Sequence, residues 1–233
     1  MADTLSDLDP FALLDDEARR LDEYFSALSG ADWDAPSRCA GWSVRDVLGH
    51  LAGEEVYNHA CLDDDVAGLM TTLGEAGVTD MDGFNAWCVR QRHDLPVADV
   101  LAEWRAASAR TRDRMRARGR DASLPTMAGP YPVGLQTMHY AAEFATHADD
   151  AGYRTPPAEE PVRTDWRARF GAFVLAEQDR PVRVDVSDNR WRVQTETVGA
   201  QLSPAEFVEA TVARLPADHP LAPELRTALA CLA

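Results

Sequence analysis

Glu143 and His147, in the segment HYAAEFATH, have the clearest chemical spacing in this 233-residue chain. On a helix, residues four apart are offset by about 40° around the axis and about 6 Å along it, so a carboxylate and an imidazole so placed can share one cation. His139, one turn earlier, extends the same stripe. A divalent metal, zinc above all, is commonly held by three side chains drawn from His and carboxylate, with a fourth position open to water or substrate. The third ligand then has to come from another element. His50, set mid-helix among Val47, Leu48 and Leu51, is the natural candidate. Spacing alone also admits a plainer reading, in which each histidine is a satisfied core or surface group.

Helical periodicity supplies the elements that must position these groups. Phe11, Leu14, Ala18, Leu21, Phe25 and Leu28 form one apolar stripe, predicting a first helix over 10–30 that Gly30 ends. Ser43, followed three residues later by Asp46, is an N-cap signature for a second helix carrying His50. The stretch 63–82 mixes acids, Gly and Thr and reads as a loop or broken helix, with a shorter helix over 83–93. A long third helix runs from Pro96 to Gly119. The loop DASLPTMAGPYP then leads to a fourth helix that carries Glu143 and His147 and stops at Gly152. Four such helices predict a bundle, whose interior is a usual place to assemble a metal site.

The proline-rich stretch 156–161 reads as a linker between a bundle over 1–155 and a small α/β domain over 162–233. In the latter, Val182, Val184 and Val186 alternate, Asp188 and Asn189 supply a turn, and Trp191 and Val193 resume the alternation, predicting a β-hairpin. Ser203 caps a following helix.

A formal net charge of -16 and a pI near 4.7 argue against a nucleic-acid partner. All 23 cations are Arg, which together with abundant Ala suggests a high-GC bacterial source. The run RTRDRMRARGR (110–120) scatters its charge around a helix and reads as a solvated helix end. The four cysteines include no CxxC pair, and the first twenty residues are acidic where a secretory leader would be basic; reduced thiols in the cytoplasm are expected. No apolar run approaches the roughly 18 residues that span a bilayer, so no membrane partner is expected.

The stretch WDAPSRCAGWSVRDVLGH (33–50) resembles the signature W-x-x-x-S/T-x-C-x-G-W-[ST]-V-x-D-[VL]-[LV]-x-H of mycothiol-dependent maleylpyruvate isomerase-like proteins, a branch of the DinB metalloenzyme superfamily. EFATHADDAG is similar to the family's Glu-x-x-x-His pair on the fourth bundle helix. The resemblance covers the whole chain, strongest at those two motifs and weak after Pro161. It implies a mainly α protein, with an N-terminal DinB-like four-helix bundle and a small C-terminal α/β domain. It also implies that His50, Glu143 and His147 are the three metal ligands.

The activity implied by the resemblance is thiol-dependent cis-trans isomerisation, or S-transfer if the adduct is released, with mycothiol as co-substrate and a divalent metal, Zn2+ expected, as cofactor. The substrate would be a small unsaturated carboxylic or keto acid. Enolate charge calls for a nearby cation. Arg214, in EATVARLP, is the closest match by position to an Arg of the family's second domain. Glu54, one turn after His50, reads equally as a partner or acid/base group of the site and as a salt-bridged helix residue. His139 matches no ligand of the family. Trp42 is expected to anchor the second helix by burial, and Cys39 shows no separate sign of reactivity. A metal-activated hydrolase, a thiol-independent isomerase or cyclase, and a non-catalytic module that keeps the bundle are the competing readings.

Overall fold

Asp9 opens the first helix, because its carboxylate accepts the amide hydrogens of Phe11 and Ala12 and satisfies two donors that no preceding turn can reach. The computed structural model describes residues 2–188 and 190–232. They are mainly helical, with a small amount of sheet. Two compact units divide the chain: Asp9–Tyr153, and a second that joins Arg154 onward to the described residues before Asp9.

In the first unit, α1 (Pro10–Ala27) ends three residues before Gly30, since Leu28 is already extended and Gly30 opens a short 3-10 turn at φ +46°. Ser43 and Asp46 form a reciprocal capping box at the start of α2 (Val44–Leu62). The segment 63–82 holds a complete helix, α3 (Val66–Glu75), capped by Asp65 on Gly68. Asp80 caps α4 (Met81–Arg90) two residues before the expected start. The long α5 (Val97–Arg118) runs between Pro96 and Gly119.

The expected loop 121–132 contains an antiparallel hairpin, β1 (Ser123–Thr126) with β2 (Gly129–Pro132). Its three prolines hide it in the sequence, yet a two-stranded ribbon needs few ladder donors and tolerates them. α6 (Val133–Ala151) follows directly and is stopped by Gly152 at φ +102°.

α1 packs on α5 and α6, and α2 packs on α4, α5 and α6. Phe25, Trp104 and Phe144 form the aromatic centre, with ring centroids 5.9 and 5.8 Å apart and all three side chains buried. Burying each contributes on the order of 2–3 kcal/mol. α2 and α4 cross closely at Gly53, where an added Cβ would lie 2.3 Å from the Cβ of Cys88. The arginine run lies along α5 and meets acids on several sides: Arg112 and Arg116 reach Asp15, Arg114 reaches Asp63 and Arg118 reaches Asp64.

The second unit contains α7 (Glu160–Glu177), β3 (Arg183–Ser187), β4 (Arg190–Gln194), β5 (Gly199–Leu202), α8 (Pro204–Thr211) and α9 (Pro223–Leu229). α7 begins inside the stretch read as a linker, because Pro161 occupies the first helical turn, where its missing N–H leaves no bond unmade. The strands form one antiparallel sheet in the order β3-β4-β5, with Val184 opposite Val193 and Val186 opposite Trp191. Asp188 takes a left-handed turn conformation at φ +49°, while its expected turn partner Asn189 lies outside the described residues. Trp191 stacks on Phe207 at 4.3 Å, joining the sheet to α8. Among the described residues no helix is long and apolar enough to cross a membrane.

Candidate metal centre

His50, Glu143 and His147 come together. The Nε2 atom of His50 lies 3.1 Å from Oε1 of Glu143, and Nε2 of His147 lies 3.0 Å from the same oxygen. One ligand atom from each residue falls within 4.8 Å of the other two. The elements explain the meeting: α6 supplies Glu143 and His147 one turn apart on a single face, and α2, packed against it, supplies His50. Both imidazoles are buried, whereas the Glu143 side chain keeps 35% of its surface exposed, so the cluster opens to solvent at the carboxylate.

Charge and burial oppose each other within the cluster. Dehydration would raise the Glu143 carboxyl, but the two imidazoles beside it hold it well below the usual carboxylate range. Burial lowers His50 despite its bond to Glu143. Burial would lower His147 as well, yet the Glu143 charge and the hydrogen bonds to Asp150 and Cys39 raise it well above an ordinary histidine.

Glu54 lies on α2 with its Oε2 3.5 Å from Nε2 of His50, and it is buried. Burial, with the charges of Glu143 and Glu55, raises its carboxyl well above the usual range. His139 stands apart from the three: its Nε2 lies 3.4 Å from the Tyr131 hydroxyl, and burial pushes it down to about 4. Trp42 is only half-buried, not the expected buried anchor of α2, and sets its ring 5.2 Å from that of His50, flanking the candidate site. Arg214 belongs to the second unit, just past α8, where its Nη1 donates to the Val212 carbonyl at 3.2 Å.

Asp150, which sequence reasoning does not single out, and Cys39, which shows no separate sign of reactivity there, both adjoin His147. Asp150 Oδ2 lies 3.2 Å from Nδ1 of His147, and Cys39 Sγ lies 3.2 Å from that same carboxylate oxygen and 3.7 Å from the imidazole nitrogen. The spacing of Asp150, three residues after His147 on one helix, was a usable signal. The Cys39 contact joins positions 111 residues apart and leaves no local trace.

The family described as "Mycothiol maleylpyruvate isomerase N-terminal domain" matches residues 14–152, which takes in all three converging side chains and the capping box of α2. Comparison with curated proteins and with solved structures gives no match. With well over half of its length matched, and the histidines and glutamate of its two motifs meeting at one point, the chain belongs to the mycothiol maleylpyruvate isomerase N-terminal domain family.

Proposed function

We propose that this chain is a metal-dependent and mycothiol-dependent isomerase or thiol S-transferase acting on a small unsaturated carboxylic or keto acid. The carrying observation is the convergence of two imidazoles and one carboxylate on a single point that is buried on the imidazole side and open at Glu143. His50, Glu143 and His147 would hold the metal, and the nitrogen and oxygen donors suit Zn2+. The residues fit such an ion. Asp150 at Nδ1 of His147 leaves Nε2 facing Glu143, and the carboxylate is already ionised. α1, α2, α5 and α6 supply the frame of a DinB-like four-helix bundle, joined to a small α/β domain.

A divalent metal in this position would supply the Lewis acidity that makes a thiol a thiolate at neutral pH. The thiolate would add to the double bond conjugated with the substrate carbonyl to give an enolate whose new single bond can rotate; expulsion of the thiolate would return the trans isomer, whereas protonation of the carbon next to the carbonyl and release of the adduct would give S-transfer. The chain's own groups orient and exclude. Trp42 flanks His50 with an apolar face, and Glu54, whose carboxyl is raised by burial, can hold or return a proton beside His50. Arg214 is proposed as the cation that meets the substrate carboxylate, supported by its position in the family resemblance. The net charge of -16 disfavours a nucleic-acid partner.

The test is elemental analysis of the native protein together with turnover of an α,β-unsaturated acid with and without mycothiol. One equivalent of metal and a strict need for the thiol are expected. Equal turnover in thiol-free buffer overturns the thiol chemistry and leaves a metal-dependent isomerase or hydrolase. A metal-free protein, with function unchanged in His50→Ala, overturns the enzyme reading altogether.

A further inference from the structure

We propose that Asp150 is a positioning residue that fixes the ring and tautomer of His147, and that the Cys39 thiol in turn holds Asp150. The inference rests on the metal reading above and adds a second layer to it. An imidazole can present only one nitrogen lone pair to a cation while the other nitrogen carries a proton, and a hydrogen-bond acceptor at the protonated nitrogen decides which is which. His147 meets that condition: Nδ1 faces Asp150 Oδ2 at 3.2 Å, and Nε2 faces Glu143 at 3.0 Å.

Asp150 is built in. Only 2% of it is exposed, and a buried carboxylate is costly unless its oxygens are hydrogen-bonded. The Cys39 S–H, 3.2 Å from Oδ2, can donate to it. The loop that delivers Cys39 is tied down as well. The Arg38 amide donates to the Asp150 carbonyl at 3.0 Å, the Cys39 amide donates to the Ser37 hydroxyl, and that hydroxyl donates to the Trp42 carbonyl. The motif segment before α2 thus grips the end of α6 at the residue that aims His147.

His50 offers the contrast. Its Nδ1 is buried and has no hydrogen-bond partner among the described residues. Of the two imidazoles, His147 is therefore the one whose aim is set by an outer carboxylate, and its support should be the stronger lever on metal retention.

The experiment is titration of the full-length, metal-stripped protein with Co2+, read by its visible ligand-field absorption, with Zn2+ affinity measured by competition against a chelating dye. The wild-type protein is expected to bind one equivalent. Asp150→Ala should weaken binding by roughly 10- to 100-fold and alter the Co2+ spectrum. Asp150→Asn, which still offers an oxygen to Nδ1–H, should recover most of the affinity. Cys39→Ala should weaken binding less, and Cys39→Ser, which keeps a donor, should restore it. Thermal melting of the metal-free variants separates misfolding from a local effect, and the Cys39 pair serves if Asp150→Ala does not fold. Asp150→Ala and Cys39→Ala both binding Co2+ with wild-type affinity and spectrum would overturn the inference alone. So would a second equivalent of Co2+ that Cys39→Ala abolishes, because Cys39, His147 and Asp150 would then be ligands themselves. A wild-type protein that takes up no Co2+ or Zn2+ instead sinks the metal reading beneath it.

Discussion

Replacing Glu55 by Gln should stabilise this protein, and by an amount that grows with pH. Glu55 lies on α2 at 2% exposure, and one of its oxygens accepts hydrogen bonds from the Thr111 hydroxyl and the Asn58 amide, bridging α2 to α5. Burial raises its carboxyl from 4.5 to about 7, against the lowering effect of those bonds and of Arg112 and Arg110. The sign follows from proton counting: between these values the folded chain keeps a proton that the unfolded chain has released, so stability falls as pH rises through the window. With 4.5 in the unfolded chain and about 7 in the fold, the carboxyl costs about 1.4 kcal/mol at about pH 5.5 and about 3.4 kcal/mol at about pH 8.5. Gln keeps an oxygen for Thr111 and Asn58 and has no proton to lose. Urea unfolding of both proteins across that range should show the stability difference widening by about 2 kcal/mol in favour of the variant. The neighbouring Glu54, raised partly by Glu55, relaxes in the same direction. A difference that stays constant with pH, or shrinks as pH rises, would refute the reasoning.

The remaining predictions concern the site and its frame. His147→Ala or Glu143→Gln should weaken Zn2+ binding by more than the roughly 100-fold that marks the loss of an outer partner; unchanged metal content by elemental analysis would count against both assignments. Gly53→Ala should destabilise by about 1–3 kcal/mol, because the new methyl must displace Cys88 where α2 crosses α4, and a shifted denaturation midpoint would report it. Gly152→Ala, at φ +102°, should cost about 1–2 kcal/mol by placing a Cβ in left-handed backbone at the end of α6, read from the same denaturation curves. Trp191→Ala removes the ring stacked on Phe207 and should cost about 3–5 kcal/mol in the second unit, visible as a lowered melting temperature.

Much of the frame was legible where local chemistry dictates local structure. The Ser43 and Asp46 box fixes the start of α2, and Gly152 fixes the end of α6, because caps and left-handed stops act within a few residues. The contact of Glu143 with His147 is a property of helical spacing alone. Other elements were masked by residues with two meanings. Pro161 reads as a breaker but sits harmlessly in the first turn of α7, and the prolines of SLPT and GPYP hide the hairpin β1–β2. β5 and α9 are too short to show a period above the polar background. The approach of Cys39 to Asp150 is tertiary, set by how the loop before α2 lies on α6, and no spacing rule reaches it.

Because Glu143 and His147 ride one helix while His50 comes from another, two corners of the triangle share a rigid rod and the third does not. The spacing of α2 and α6 therefore decides whether the three donors meet. Anything that spreads these helices withdraws His50 first and leaves an intact two-point clamp behind, so damage to the bundle should degrade cation capture in two stages.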